Sequence, residues 1–408
     1  MNNTNSAPNK RDVKLTVAAC YFGSFTQAAV ANLPPLFYVL FNERLGMPLE
    51  LIALFPTVFF GIQILIDALF SKIVFKIGYR LTAIFSDVIS AVGLIVLGLS
   101  PFFSNPVATI FISGVLCAIG SGIIEITTSP LIEALPGDGK SSAMSFLHSF
   151  YCWGYLFVVL FTTGFFALFG KDYWFALCFI FAVIPVSGGI LYSLIGKLTT
   201  LEENGCSSKF ADFGKNSLFL ILFLIMICAG AGEQVVAQWA SYFAEKGLNV
   251  SKTVGDLLGA SAFALCMALS RTFFGFICKK TGIKNALIVS VCALIVSYLV
   301  TALSPIPAIS LVGIAACGLS VGILWPATLS LAGESRLNGG TLMFALLALA
   351  GDIGCTVGPS VSGEISAATN INVGILSGVV FPVVALILLI VHGKISAKKS
   401  QNSTPLSE

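Results

Sequence analysis

Glu125 is the residue that most asks for an explanation. It lies deep in an apolar run near 107–134, with Ser121 at i−4 and Thr128 and Ser129 at i+3 and i+4 on one helical face, and no cation accompanies it in that run. An ionisable group at mid-bilayer costs about 2.5–3.5 kcal/mol on insertion scales, so it needs a partner, a cavity or a proton. Such a carboxyl can exchange a proton or bond a solute hydroxyl; the alternative is a permanently protonated group that staples two helices. A second polar patch follows near 217–243, where Gln234, Gln238 and Ser241 recur at i, i+4 and i+7 beside Glu233 and Trp239. Amides and hydroxyls both donate and accept, which suits a neutral polyol better than an ion. Trp153, Trp239 and Trp325 fall inside apolar runs and Trp174 is expected at an interfacial belt. An indole face can pack on the C–H face of a sugar ring, and helix packing is the other role open to it.

Further candidates lie in other apolar runs. His148, Tyr151, Cys152 and Tyr155 form a stripe at i, i+3, i+4 and i+7. His148 can relay protons or bond across helices. Asp352, beside Gly351 and Gly354 and ahead of Gly358-Pro359, is a candidate for cation or proton binding together with Glu125 and Glu233. Asp67, Asp87 and Arg271 are expected in the cytoplasmic thirds of their helices, as ion pairs or helix-end contacts of a gate. His392 and the C-terminal tail are expected to be interfacial or solvated.

The elements that must position these groups follow from composition. Of 408 residues, 57% are hydrophobic and 10% charged, with a mean hydropathy of +0.96; soluble proteins carry about 25% charged residues. Lipid is the natural solvent. Apolar runs bounded by charges, Pro and Gly predict an all-α membrane protein with twelve spans. The first six lie near 15–40, 51–73, 81–99, 107–134, 142–169 and 173–195. The other six lie near 217–243, 254–277, 285–303, 309–331, 341–363 and 371–393. This organisation comprises an N-terminal tail (1–14), a six-helix bundle (15–196), a polar linker (197–216), a second six-helix bundle (217–393) and a C-terminal tail (394–408). With the N-terminus cytoplasmic, 17 of the 22 Lys and Arg fall on that side and 4 on the other, with Arg271 inside a span; this places both termini in the cytoplasm. Short loops and the absence of a cleavable leader suit a bacterial cytoplasmic (inner) membrane.

The same arithmetic excludes other classes. A net charge of +3, thinly spread, offers no stripe for nucleic acid. Ten of the eleven cysteines lie in apolar runs and read as small hydrophobes. No GxxxxGK[ST] stretch occurs, so ATP is not a direct driver. No nucleophile, base and orienter can be assembled, so an enzyme is not expected, nor are a cofactor or a metal.

The halves repeat internally. Ser71 to Arg80 registers with Gly275 to Lys284 at an offset of 204, aligning Gly78 with Gly282 and Asp67 with Arg271. Gly122-Ile-Ile registers with Gly322-Ile-Leu at an offset of 200. Two such halves are the plan of a secondary transporter.

The loops just described resemble the signature loop of the major facilitator superfamily, Gly-x-x-x-Asp-Arg/Lys-x-Gly-x-Arg/Lys, with Phe75 and Lys279 where its Asp is expected. Four further stretches resemble the fucose:proton symporter-like sugar permeases within it. These are Gly120-Ser-Gly-Ile-Ile-Glu125-Ile-Thr-Thr-Ser-Pro130, Leu147-His148-Ser-Phe-Tyr151-Cys-Trp-Gly154, Gly232-Glu233 with Trp239 and Tyr242, and Trp325-Pro326-Ala-Thr328. The resemblance implies sugar import driven by protons or, in some branches, sodium, with Glu125 in proton and sugar binding. A second carboxylate implied in the first span is absent, since Gln27-Ala-Ala-Val-Ala-Asn32-Leu-Pro34-Pro35 carries no Asp or Glu. The expected protein is a monomer in the bilayer that moves a small polar solute, most simply a sugar, by proton- or sodium-coupled symport. Gln27, Glu125, His148, Tyr151, Gln234, Gln238, Trp239 and Trp325 are its expected solute contacts. A proton-coupled exporter of drugs or other amphipathic compounds is the rival, kept open by 34 phenylalanines.

Overall fold

A computed structural model describes residues 9–135, 140–196, 198, 216–334 and 340–402. Most of the expected linker, 197–216, lies outside the described residues. Among those described, regular structure is helical throughout. Among the described residues eleven segments are long and apolar enough to cross a membrane. The first helix, α1 (Lys10–Asn32), is not among them. It opens on Lys10, Arg11 and Asp12 and carries Ser24, Thr26, Gln27 and Asn32, and its polar groups turn inward: Thr16, Ser24, Thr26 and Asn32 are buried.

The chain divides into two compact units, residues 1–47 with 61–204 and residues 48–60 with 205–408. The first contains α1, α2 (Tyr38–Leu45), most of α3 (Leu49–Ile77), α4 (Tyr79–Leu99), α5 (Pro106–Glu133), α6 (Lys140–Phe169) and α7 (Trp174–Leu194). The second contains α8 (Ser217–Tyr242), α9 (Lys252–Thr272), α10 (Phe274–Thr281), α11 (Ile283–Leu303) and α12 (Pro307–Val321). It ends with α13 (Leu324–Glu334), α14 (Gly340–Ala368), α15 (Ile371–Ser377) and α16 (Val380–Asn402). The first turns of α3 cluster with this second unit, where Ala53 packs on Gly363 and the Thr57 hydroxyl meets that of Ser360.

Helix starts follow from side-chain caps. Asn9 accepts from the amide of Asp12, Asn105 from Ala108 ahead of Pro106, Asn216 from Leu218, and Asn370 from Val373. The internal repeat has a conformational counterpart: Gly78 and Gly282 break the chain at φ 90°, ψ 143° and φ 78°, ψ 146°. That region is open to glycine almost alone, which accounts for the residue at both repeat positions.

Packing is close wherever glycines face a neighbouring backbone. A Cβ on Gly354 of α14 would lie 2.0 Å from the Ile227 carbonyl oxygen of α8, and one on Gly230 would lie 2.2 Å from that of Gly351. In lipid, where no hydrophobic force drives helices together, such contact supplies the attraction. Trp239 belongs to the same seam. It is 0% exposed, and its indole N–H donates to the Pro359 carbonyl at 3.0 Å. This corrects the expected solute contact, because the ring and its polar atom are both consumed in joining α8 to α14. Trp174, expected at an interfacial belt, is likewise buried, against the rings of Phe37 and Phe41. His392, expected to be interfacial or solvated, is 2% exposed, and neither ring nitrogen has a hydrogen-bond partner among the described residues.

Candidate functional site

In the first unit the polar groups of three helices converge on Glu125. Its Oε2 accepts from Gln27 Nε2 of α1 at 2.9 Å and from Gln63 Nε2 of α3 at 2.7 Å. Gln63 is itself held by Ser121 of α5, whose hydroxyl donates to Gln63 Oε1 at 2.9 Å. Both amides thus satisfy one carboxyl oxygen, and Oε1 is left for a further partner. Asp67 lies one turn beyond Gln63 on α3, and one of its oxygens lies within 4.8 Å of a Glu125 oxygen. Asp67 therefore belongs beside Glu125 and is not a helix-end group. Ten residues of α3 follow it, about 15 Å of helix. Nearby, Tyr151 accepts at its hydroxyl from Asn32 Nδ2 at 3.1 Å, tying α6 to α1. The backbone of His148 is in α6; its side chain lies outside the described residues.

Asp87 also departs from the expected helix-end pairing. It sits eight residues into the 21 of α4, about 12 Å from the Tyr79 end. Its side chain is buried and neither carboxyl oxygen has a hydrogen-bond partner among the described residues.

In the second unit the polar residues run as a seam along α8. Arg271 of α9 donates from its guanidinium to Glu233 Oε2 at 2.9 Å, and the two side chains are 11% and 9% exposed. The same guanidinium donates through Nε to the Gly322 carbonyl at 3.1 Å. Pro326 explains that second bond. It has no N–H to return to the carbonyl four residues back, so the chain breaks between α12 and α13 and Gly322 takes its donor from Arg271. Glu233, expected to carry a proton or cation, is paired with Arg271 here, a partner that the 204-residue repeat did not suggest. Further along α8, Gln238 Nε2 donates to Gln234 Oε1 at 3.2 Å. Tyr298 of α11 donates to the Gly232 carbonyl at 2.7 Å.

The seam ends in a cluster that sequence reading missed. Lys252 and Asp256, 4% and 0% exposed at their side chains, pair at 2.9 Å. The Ser241 hydroxyl donates to Asp256 at 2.6 Å and lies 2.6 Å from Lys252 Nζ. Two π-helical turns, Phe243–Gly247 and Asp256–Ala260, flank the cluster, a geometry often found at functional positions. The i, i+4 spacing of Lys252 and Asp256 was visible, but Lys252 falls outside the span expected near 254–277. Trp325 packs against Gly351, where a Cβ would fall 2.1 Å from its ring, and Asp352 is buried on α14.

Comparison with known proteins places this architecture. The sequence pattern of the Major Facilitator Superfamily matches residues 17–359, with a second match over 222–408. No curated protein matches the chain. Among solved structures it is similar to a bacterial homologue of the human lysosomal transporter Spinster, in an inward-facing, unoccupied conformation. The TM-score is 0.77 at 12% identity over 96% of this chain and 98% of that one. It is also similar to the nucleoside transporter NupG, with a TM-score of 0.71 at 14% identity over 95% and 100%. A third is the E. coli fucose:proton symporter FucP, with a TM-score of 0.65 at 16% identity over 94% and 99%. At these identities the likeness is one of fold.

Proposed function

We propose that this chain, which belongs to the Major Facilitator Superfamily, carries a small polar solute of the sugar class across the membrane by alternating access, coupled to a proton. The observation that carries the reading is the arrangement at Glu125. Two amides fill one carboxyl oxygen, the other is open, and a second carboxyl stands within 4.8 Å. Two carboxyls this close are best held by one shared cation or proton, which is what coupling requires of a site. Gln27, Gln63 and Ser121 provide neutral donors and acceptors beside it, the chemistry that a sugar or the ribose of a nucleoside presents in return. Gln234, Gln238, Tyr151 and Trp325 are the further solute contacts in this reading, and Asp352 is a second coupling candidate. Two fold relatives support the solute class, one named as a fucose:proton symporter and one as a nucleoside transporter. The lysine and arginine bias supports both termini in the cytoplasm, and a bacterial cytoplasmic membrane is the proposed location.

The test begins with thermal unfolding of the purified protein against a panel of monosaccharides and nucleosides. A binder at about 100 times its Kd stabilises by about 2.7 kcal/mol. For the sugar so identified, Glu125→Gln keeps the amide contacts but removes the proton site. Exchange of preloaded sugar should survive in proteoliposomes while uphill uptake on an imposed proton gradient is lost. Undiminished accumulation by the variant overturns the proton role.

A further inference from the structure

We propose that Asp87 is a proton-binding site of the first unit, filled while α7 is packed on α4 and emptied when that seam parts. The carboxyl is 1% exposed, with no hydrogen bond to either oxygen. The backbone of α7 covers it: a Cβ built on Gly188 would lie 2.7 Å from Oδ2 and 3.1 Å from Oδ1. The titratable groups beside it are a phenol and a thiol. From α7 comes Tyr192 and from α1 comes Cys20, the two joined by the Tyr192 hydroxyl at 3.6 Å from the sulfur. From α5, Gly120 packs on Ser86 and Ser90, and Cys117 lies further along α4 against Gly93. On α4 itself the Ser86 hydroxyl turns away to the Ala83 carbonyl at 2.7 Å, and the Ser90 hydroxyl has no partner. Among the described residues no Lys or Arg forms an ion pair with Asp87.

An ionised carboxylate in such surroundings has nothing to replace its water shell. The Born cost of burying an unpaired charge runs to tens of kcal/mol, and the group takes up a proton instead. Asp87 therefore holds its proton in the packed conformation. Glu125 differs, since two amide donors stand in for water there. Ionisation of Asp87 and close packing at Gly188 exclude one another, so the proton acts as a ligand of the packed seam. By linkage, the seam is favoured as pH falls and loosened as pH rises. The inference does not depend on the solute or on Glu125, and its test reads neither.

Infrared spectroscopy of the purified protein reads the proton directly. With aspartate carboxyls isotopically labelled, the wild type at neutral pH should show the C=O stretch of a protonated, non-hydrogen-bonded aspartic acid. Asp87→Asn should remove that band and Glu125→Gln should leave it. Asn has nearly the shape of the neutral acid, so the variant should fold. The wild-type label experiment needs no variant, and absence of the band overturns the proposal by itself, as does a band that persists in Asp87→Asn. Linkage adds a second readout: from about pH 6 to about pH 9 the wild type should lose several degrees more in unfolding temperature than Asp87→Asn. Parallel pH profiles overturn the claim that the proton is tied to the packed seam.

Discussion

Lys252→Met separates the energy of a buried ion pair from that of a surface one. At 2.9 Å and an effective dielectric of about 20, the Lys252–Asp256 attraction is roughly 6 kcal/mol. Desolvating the two ions costs several kcal/mol each, so the pair as a whole is close to break-even. The asymmetry appears when one partner is removed. Asp256, 0% exposed, would keep only the Ser241 hydroxyl on Oδ1, and its Oδ2 already has no partner. Leaving a buried charge without its counter-ion costs about 3–5 kcal/mol. For a cooperative unit of about 200 residues that corresponds to roughly 6–20 °C in unfolding temperature. The double variant Lys252→Met with Asp256→Leu removes both charges and should recover most of the loss. Unfolding can be followed in detergent with a thiol-reactive dye once the exposed Cys292 and the half-buried Cys266 and Cys278 are replaced by Ser, because Cys317 is 0% exposed and Cys228 and Cys355 are 7% exposed in this same unit. The exposed pair Arg44–Asp172 is the control. Its distance is 2.8 Å, but its side chains are 62% and 71% exposed, so Arg44→Ala should cost about 0–1 kcal/mol. A double variant as unstable as the two single losses summed would refute the reasoning, as would an unshifted Lys252→Met.

Two further outcomes test the second unit. Gly354→Ala must displace the Ile227 carbonyl of α8, so it should destabilise by at least about 1–3 kcal/mol in the same unfolding assay, whereas Gly61→Ala, which meets nothing within 4 Å, should cost almost nothing. Arg271→Gln strands Glu233 and should cost about 3–5 kcal/mol, much of it restored by adding Glu233→Gln; additive losses in this cycle would contradict a direct pair.

What was legible in the sequence is what depends on one helix at a time. Apolar run length located eleven of the twelve expected spans among the described residues, α1 being too polar to count, the Gly78 and Gly282 repeat foretold a shared break, and the mid-span carboxyl at 125 was evident from its cost in lipid. Partners across helices were not legible. Nothing in the spacing tells that Arg271 reaches Glu233 and the carbonyl freed by Pro326, or that Gln63 caps Glu125, although Gln63 and Asp67 are one turn apart on one face. Trp239 shows the reverse error. A tryptophan inside a span has the same composition whether its N–H meets a solute or the Pro359 carbonyl, and only the glycine-rich face of α14 decides between them. His392 looked interfacial because it precedes a basic tail, and the helix carries it inward instead.

The π turn inside α9 acts as a phase shifter. Lys252 and Arg271 are 19 positions apart, which in an uninterrupted α-helix points them about 100° away from one another. The turn at Asp256–Ala260 spends roughly one extra residue, and that retards the phase by about the same angle. Both cations consequently face α8, one closing on Ser241 near its end and the other on Glu233 two turns earlier. One residue inserted into the winding thus turns a helix whose two charges would diverge into one that grips a single neighbour at two points.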